Sequence, residues 1–318
     1  SKRVVEFAGP TPYWGWNSGT AYTITEDLLT PGFRVPLADV SAFSVGDWVV
    51  IRMDVTTDWV NEHNEPGWLG FEASLGGLRY SRQVMEVDTV NNELILDAPL
   101  RYALKMRDNA RVYIRNNALE GVGIEDLSIG NVQHPGSNWG ESDYTDSGKS
   151  AYDTHASYLI QMRNARNSWI RRVDSFQASG NTTTAHMLSN GILLSECRGV
   201  TIEECHLQRP QYGGGGGNGY MYRLSHSNEC LVRDCIAEFN RHGFVFSHMG
   251  SSGNVYHNCR DKNTGKATGS TSSYNTSGKA SDHHMQFSHS NLIDVCIADN
   301  SWFTAHYRPY GTDPKHNL

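Results

Sequence analysis

"GVTIEEC" (199–205), "ECLVRDC" (229–235), "GNVYHNC" (253–259) and "NLIDVC" (291–296) share one build: a turn opener, a short apolar stretch and a closing cysteine. Two earlier segments, "NSWIRRV" (167–173) and "GVGIEDL" (121–127), keep that build with Val173 and Leu127 in the cysteine place. The six closing positions lie 46, 32, 30, 24 and 37 residues apart. Such uneven spacing excludes helical repeats of fixed period. It fits short β segments joined by loops of unequal length, as in a β-solenoid. Equivalent residues of successive coils then stack about 4.8 Å apart, so Val173, Cys205, Cys235, Cys259 and Cys296 are expected to form one inward column. In-register neighbours aim their side chains in parallel, which disfavours disulfide geometry. The four cysteines therefore read as buried free thiols, while Cys197 and Cys230 stay open between free and paired.

The segments "GILLSECRGVTIEECHL", "YMYRLSHSNECLVRDCIAEF", "FVFSHMGSSGNVYHNC" and "MQFSHSNLIDVCIADN" carry a resemblance to the right-handed parallel β-helix proteins of the pectate-lyase-like superfamily, from about Leu119 to the C-terminus. The fold class expected is all-β, a right-handed parallel β-helix with a β-rich N-terminal portion. That superfamily is dominated by polysaccharide lyases and glycosidases, with tailspikes and non-catalytic adhesins among the rest. The resemblance thus implies a class and not a mechanism.

Residues 1–118 read differently. "VGDWVVIRMDV", "YSRQVMEVDTV" and "NELILDAPL" alternate as strands between turn signals. "WVNEHNEPGWLGFEASLGGL" (59–78) reads as a surface loop, and two more long loops interrupt the coils at 211–219 and 261–282. Loops of that length inside a compact repeat usually serve function.

The chain has 318 residues, a net charge of -7 and no basic run, which argues against a nucleic-acid partner. No apolar stretch approaches the roughly 18 residues that cross a bilayer. High Gly, Trp and Tyr content with 19% charged residues fits a secreted or extracellular protein, with a periplasmic one as an alternative. The chain opens without Met or a signal-peptide core and ends in coil-like sequence, so it reads as mature or excised, with continuation of the solenoid expected.

Three Ser-His pairs mark the strand ends: "LSHSN" (224–228), "FSHMG" (246–250) and "FSHSN" (287–291). Aligning them puts Tyr222, Phe244 and Met285 in one column, Arg223, Val245 and Gln286 in the next, and Leu224, Phe246 and Phe287 in a third. By strand alternation the outer columns face the core, and Arg223 and Gln286 face out together with Gln161. His226, His248 and His289 are expected to stack at one corner. At the other end of the strands, Tyr220, Arg241, His242, Asp282, His283 and His284 gather on consecutive coils, with His306 and Arg308 following. Titratable and aromatic groups along one edge make a groove suited to a polysaccharide.

Elimination next to a uronate needs a base, an acid and a cation; His242, Tyr222 and Arg241 or Arg223 can fill these roles. Tyr220, His283, His284, Gln286, His306, Arg308 and Gln161 are the expected substrate-binding residues. Hydrolysis needs two carboxylates, for which Asp282, Asp153 and Glu196 are the candidates. "RHGFVFSHMGS" (241–251) resembles the Gly-His-Gly motif of polygalacturonase-like β-helices, but the paired aspartates of that group are missing. No outward Asp/Glu cluster supports a calcium site, so no metal or other cofactor is implied. The functional expectation is a carbohydrate-active enzyme acting on an acidic polysaccharide by β-elimination. A glycoside hydrolase and a non-catalytic adhesin or assembly subunit are the alternatives, and the oligomeric state is not readable.

Overall fold

The computed structural model describes residues 2–13, 17–267, 274–275 and 280–305. Its centre is a right-handed parallel β-helix, the hand that parallel crossovers adopt. One face is a seven-stranded parallel sheet of Arg3–Ala8, Tyr158–Arg163, Asn190–Ser195, Tyr220–Ser225, His242–Ser247, Ser281–His284 and Phe303–Thr304, in that order. The first of these belongs to the coil and pairs Val5 with Ile160, while the sequence places it within a β-rich N-terminal portion, residues 1–118, packed on the first coils. The opposite wall begins as two long strands, Gly123–Ile129 and Trp169–Ser175, and continues as pairs of three-residue strands such as Thr201–Glu203 and His206–Gln208.

Each of those pairs bends at one residue. Asp126, Arg172, Glu204, Asp234, Asn258 and Val295 all hold φ between 50° and 59°, a left-handed turn that rotates the chain at a corner. The next residue points inward, giving the expected column. Val173 pairs with Leu127, Cys205, Cys235 and Cys259 are buried, and Cys296 is half-buried on the last coil. All six cysteines are free. Cys197 and Cys230 form a second short stack, and burial pushes the Cys230 thiol up to about 12, so these thiols are core filling and chemically quiet.

An antiparallel six-stranded sheet (Tyr22–Thr23, Gly32–Pro36, Trp48–Met53, Leu78–Asp88, Glu93–Leu100, Arg111–Ile114) packs its own core beside the coil. The segment expected as a surface loop, 59–78, is instead a string of short helices, Thr57–Glu62, Pro66–Trp68 and Glu72–Leu75. Thr56 caps the first by accepting from the Trp59 amide at 3.1 Å. Trp59, Trp68 and Leu75 are buried, the two indoles stacked 5.8 Å apart. Three large apolar side chains within reach of one core override the polar composition between them.

Candidate functional site

The strand Tyr220–Ser225 pairs with His242–Ser247 in the expected register, Tyr220 opposite His242 and Tyr222 opposite Phe244. The next coil departs from expectation. Val245 pairs with Asp282, Phe246 with His283 and Ser247 with His284, so "SDHH" forms the strand and the "MQFS" alignment was four residues out of register. The corners have equal length on these two coils, Ser247 to Ser252 and His284 to His289, and the third "FSHS" falls inside the corner rather than at the strand end. His226 and His248 stack as expected, ring centroids 4.7 Å apart, while His289 lies at a different corner and hydrogen-bonds the Tyr80 hydroxyl at 2.7 Å.

These strands floor a cleft of about 520 Å³. Tyr220, although only 1% exposed, lines its base together with Arg223, Arg241, Ser247, His248 and His284. Met285, Gln286, Gly216, Gly217, Tyr144 and Ser74 form its rim. Of the residues singled out in the sequence, Tyr220, Arg223, Arg241, His284 and Gln286 therefore meet. The five-glycine loop 211–219 lies along the cleft, where its Gly214 carbonyl accepts from Arg241 Nη1 at 2.5 Å. Residues 268–273 and 276–279 of loop 261–282 lie outside the described residues, as do His306 and Arg308.

Three assignments are corrected by burial and a fourth, His283, by its packing partners. Tyr222 is core: it stacks on Phe244, and its hydroxyl donates to the Cys205 and Ile236 carbonyls at 2.8 and 2.9 Å. His242 is 2% exposed, with Nδ1 against the Ala280 carbonyl, and does not line the cleft. Burial, with Arg241 and His284 adding to it, drives its pKa well below the usual histidine value even though Asp282 opposes the shift. His283 packs on Phe246 and bonds Ser288 Oγ at 3.0 Å. Gln161 is buried and accepts from Arg3 of the first strand.

The cleft floor holds a chain of three polar groups. Asp282 Oδ2, wholly buried, lies 3.0 Å from His284 Nδ1, and His284 Nε2 lies 2.8 Å from the Tyr220 hydroxyl. A buried carboxylate fixes the imidazole with its proton on Nδ1, which leaves Nε2 to accept the phenolic proton. Arg223 and Arg241 sit over the Tyr220 ring at 5.5 and 6.0 Å. Arg223 is oriented by the Tyr158 hydroxyl and Ser247 Oγ, both at 3.2 Å. His248 is neutral, its pKa lowered to about 3 by burial and then by Arg223, and it shares its Nδ1 between Ser225 and Ser247 hydroxyls. The cleft can thus place a proton acceptor beside two guanidinium groups. Among the described residues, none that lines it is a carboxylate.

Ligand atoms of His242, Asp282 and His284 all lie within 4.8 Å of one another, a set that could hold a metal ion. Tetrahedral zinc would need them about 3.3 Å apart. The His242 Nδ1 to Asp282 Oδ1 distance is 3.7 Å, so the set would have to contract.

Sequence reasoning missed Tyr144 and Ser74, the latter on the helix Glu72–Leu75. These come from remote segments with no motif of their own.

Compared with protein-family models, the chain matches none. It is 24% identical over 221 residues to a capsule K1-specific depolymerase of Klebsiella phage K64-1, an alignment covering 70% of this chain and 21% of that protein. Among solved structures it is similar to the tailspike of Acinetobacter baumannii bacteriophage AP22, determined with a capsular saccharide of that bacterium (TM-score 0.48, 11% identity, 94% of this chain and 51% of that one). It is also similar to a tailspike of Pseudomonas phage LKA1 (TM-score 0.47, 11% identity, 92% and 43%). The chain thus spans about a fifth of the curated relative it matches and about half of these structures.

Proposed function

We propose that the cleft binds an acidic capsule-type polysaccharide outside the cell and cleaves it by β-elimination, with Tyr220 as the proton-transferring group. The carrying observation is the Asp282–His284–Tyr220 chain ending under Arg223 and Arg241. The relative that is a capsule depolymerase supports the choice of polymer.

The step balances on one side chain. His284 takes the phenolic proton, leaving a phenolate that removes the proton α to a uronate carboxylate. Arg223 and Arg241 hold that carboxylate and the enolate charge that develops on it. The C–O bond to the leaving sugar breaks as the double bond forms. The new phenolic O–H returns its proton to the departing oxygen, restoring the phenolate. Burial of Asp282 keeps His284 in the tautomer this requires.

Elimination is favoured over hydrolysis because no carboxylate among the described residues lines the cleft. Incubation with a panel of uronate-containing capsular polymers should release unsaturated sugars, read by ultraviolet absorbance, with or without a chelator. Reducing ends without unsaturation would instead mean hydrolysis. Binding without turnover would mean an adhesin.

A further inference from the structure

The helix Glu72–Leu75 is a wall between two clefts. Ser74 borders the one described above, while Glu72 and Ala73 line a second of about 590 Å³ over the antiparallel sheet. Ala73 and Ser74 are adjacent, with Cα atoms about 3.8 Å apart, so a ligand long enough to cross one helical turn touches both spaces.

The second cleft has a different chemistry. Arg52, 4% exposed, donates to Asp54 Oδ1 at 3.3 Å and to the Gly76 carbonyl at 3.2 Å. Arg111 grips Asp54 from the other side through two bonds of 2.9 and 3.1 Å. Thr57 Oγ1 donates to Glu72 Oε1 at 3.2 Å. Asp54 is thus shared by two guanidinium groups, and the side chains are held in place before any ligand arrives. What faces the space is a mixed set of acceptors and donors that includes the Glu72 carboxylate. Such a wall suits hydroxyl groups, each of which can donate and accept.

We propose that this cleft is a second saccharide subsite that takes a neutral pyranose through its hydroxyl groups. The uronate sits between Arg223 and Arg241 while a neutral neighbour in the same polymer crosses the Glu72–Leu75 wall. The ligand class is then a heteropolymer in which acidic and neutral sugars adjoin. The pairing of the two subsites rests on the reading of the first cleft. Neutral-sugar binding in the second does not.

Saturation-transfer NMR on the full chain tests this with two probes, methyl pyranosides of glucose, galactose and mannose, and glucuronate. At least one neutral pyranoside should bind. Ala73→Trp, at an exposed position, should abolish that signal, and Glu72→Ala should weaken it about tenfold. Arg223→Ala should leave it intact while removing glucuronate binding. Absence of neutral-sugar binding, or binding indifferent to both Ala73→Trp and Glu72→Ala, overturns the subsite. Glucuronate binding that survives Arg223→Ala overturns the first-cleft reading alone. Should Ala73→Trp fold poorly, Glu72→Ala carries the test.

Discussion

Tyr220 sits opposite His242 on adjacent strands, and its ring meets that imidazole edge-on at 4.8 Å. Its backbone amide is fixed by Asn190 Oδ1 at 2.9 Å, so only the hydroxyl is left for chemistry. Tyr220→Phe keeps the ring contacts and deletes the proton carrier. We expect kcat to fall by about 10² to 10⁴ with thermal unfolding nearly unchanged; turnover within about threefold of the parent would remove Tyr220 from the mechanism. Asp282→Asn should also lower kcat, since it loosens the tautomer of His284. A fall in substrate affinity alone would instead make Asp282 a packing residue. The sequence showed Tyr220, Arg223, Arg241 and His284 through stacking logic, because residues at one place on consecutive coils must meet. It misled at His242 because strand position says nothing about what the Ala280 segment lays over it. It misled on the register of Gln286, which lines the cleft from beyond the strand, because a third "FSHS" copy imitated a strand end four residues from the real one.

Corners, at the scale of single elements, carry their own strain. Five of the six left-handed residues before the inward column are Asp, Glu, Arg or Asn, but the sixth is Val295, with φ 52° and a side chain 66% exposed. A β-branched residue in that region crowds its own backbone, while Asn tolerates it. Val295→Asn should stabilise the last coil by about 1 kcal/mol, measured as a raised urea midpoint at unchanged m-value; a lowered midpoint would show that Val295 packs usefully where it stands. The column itself predicts a count. Unfolded, unreduced protein should titrate as six thiols, and any smaller number would mean a disulfide that the coil geometry opposes. The column was readable in sequence since the cysteines repeat in one context. The helices of 57–75 were not, because only the assembled sheet supplies the surface that buries Trp59 and Trp68.

The two cores of the molecule are joined by contacts that no local pattern reveals. Arg82 of the antiparallel sheet is fully buried and meets Glu229 of a coil corner at 3.1 Å, with Arg101 on the same carboxylate at 2.7 Å. Glu229→Ala leaves the Arg82 charge buried against its remaining carbonyl partners and should cost about 3 to 5 kcal/mol; a loss below about 1 kcal/mol would mean that those carbonyls suffice.

Histidines sit at the same seam and in the coil beneath it. His289 lies among Tyr80, Tyr102 and Phe287, its pKa lowered to about 4 by burial. His226 is shifted well below its ordinary value by burial and then by the stacked His248, which is itself lowered to about 3 by burial. A histidine whose folded pKa is depressed binds fewer protons folded than unfolded. Stability from these groups is therefore complete above the unfolded value of about 6.5 and drains away as pH falls toward the folded values. The urea midpoint should hold steady above about pH 7 and decline continuously from there to about pH 4. That onset lies above the ordinary carboxylate range, so it separates the histidines from acid-sensitive ion pairs such as Glu62 with Lys105. His248→Asn keeps a residue suited to the left-handed corner and should flatten the decline. A midpoint equal at pH 7 and pH 5 would show that these imidazoles stay accessible to protons in the folded protein.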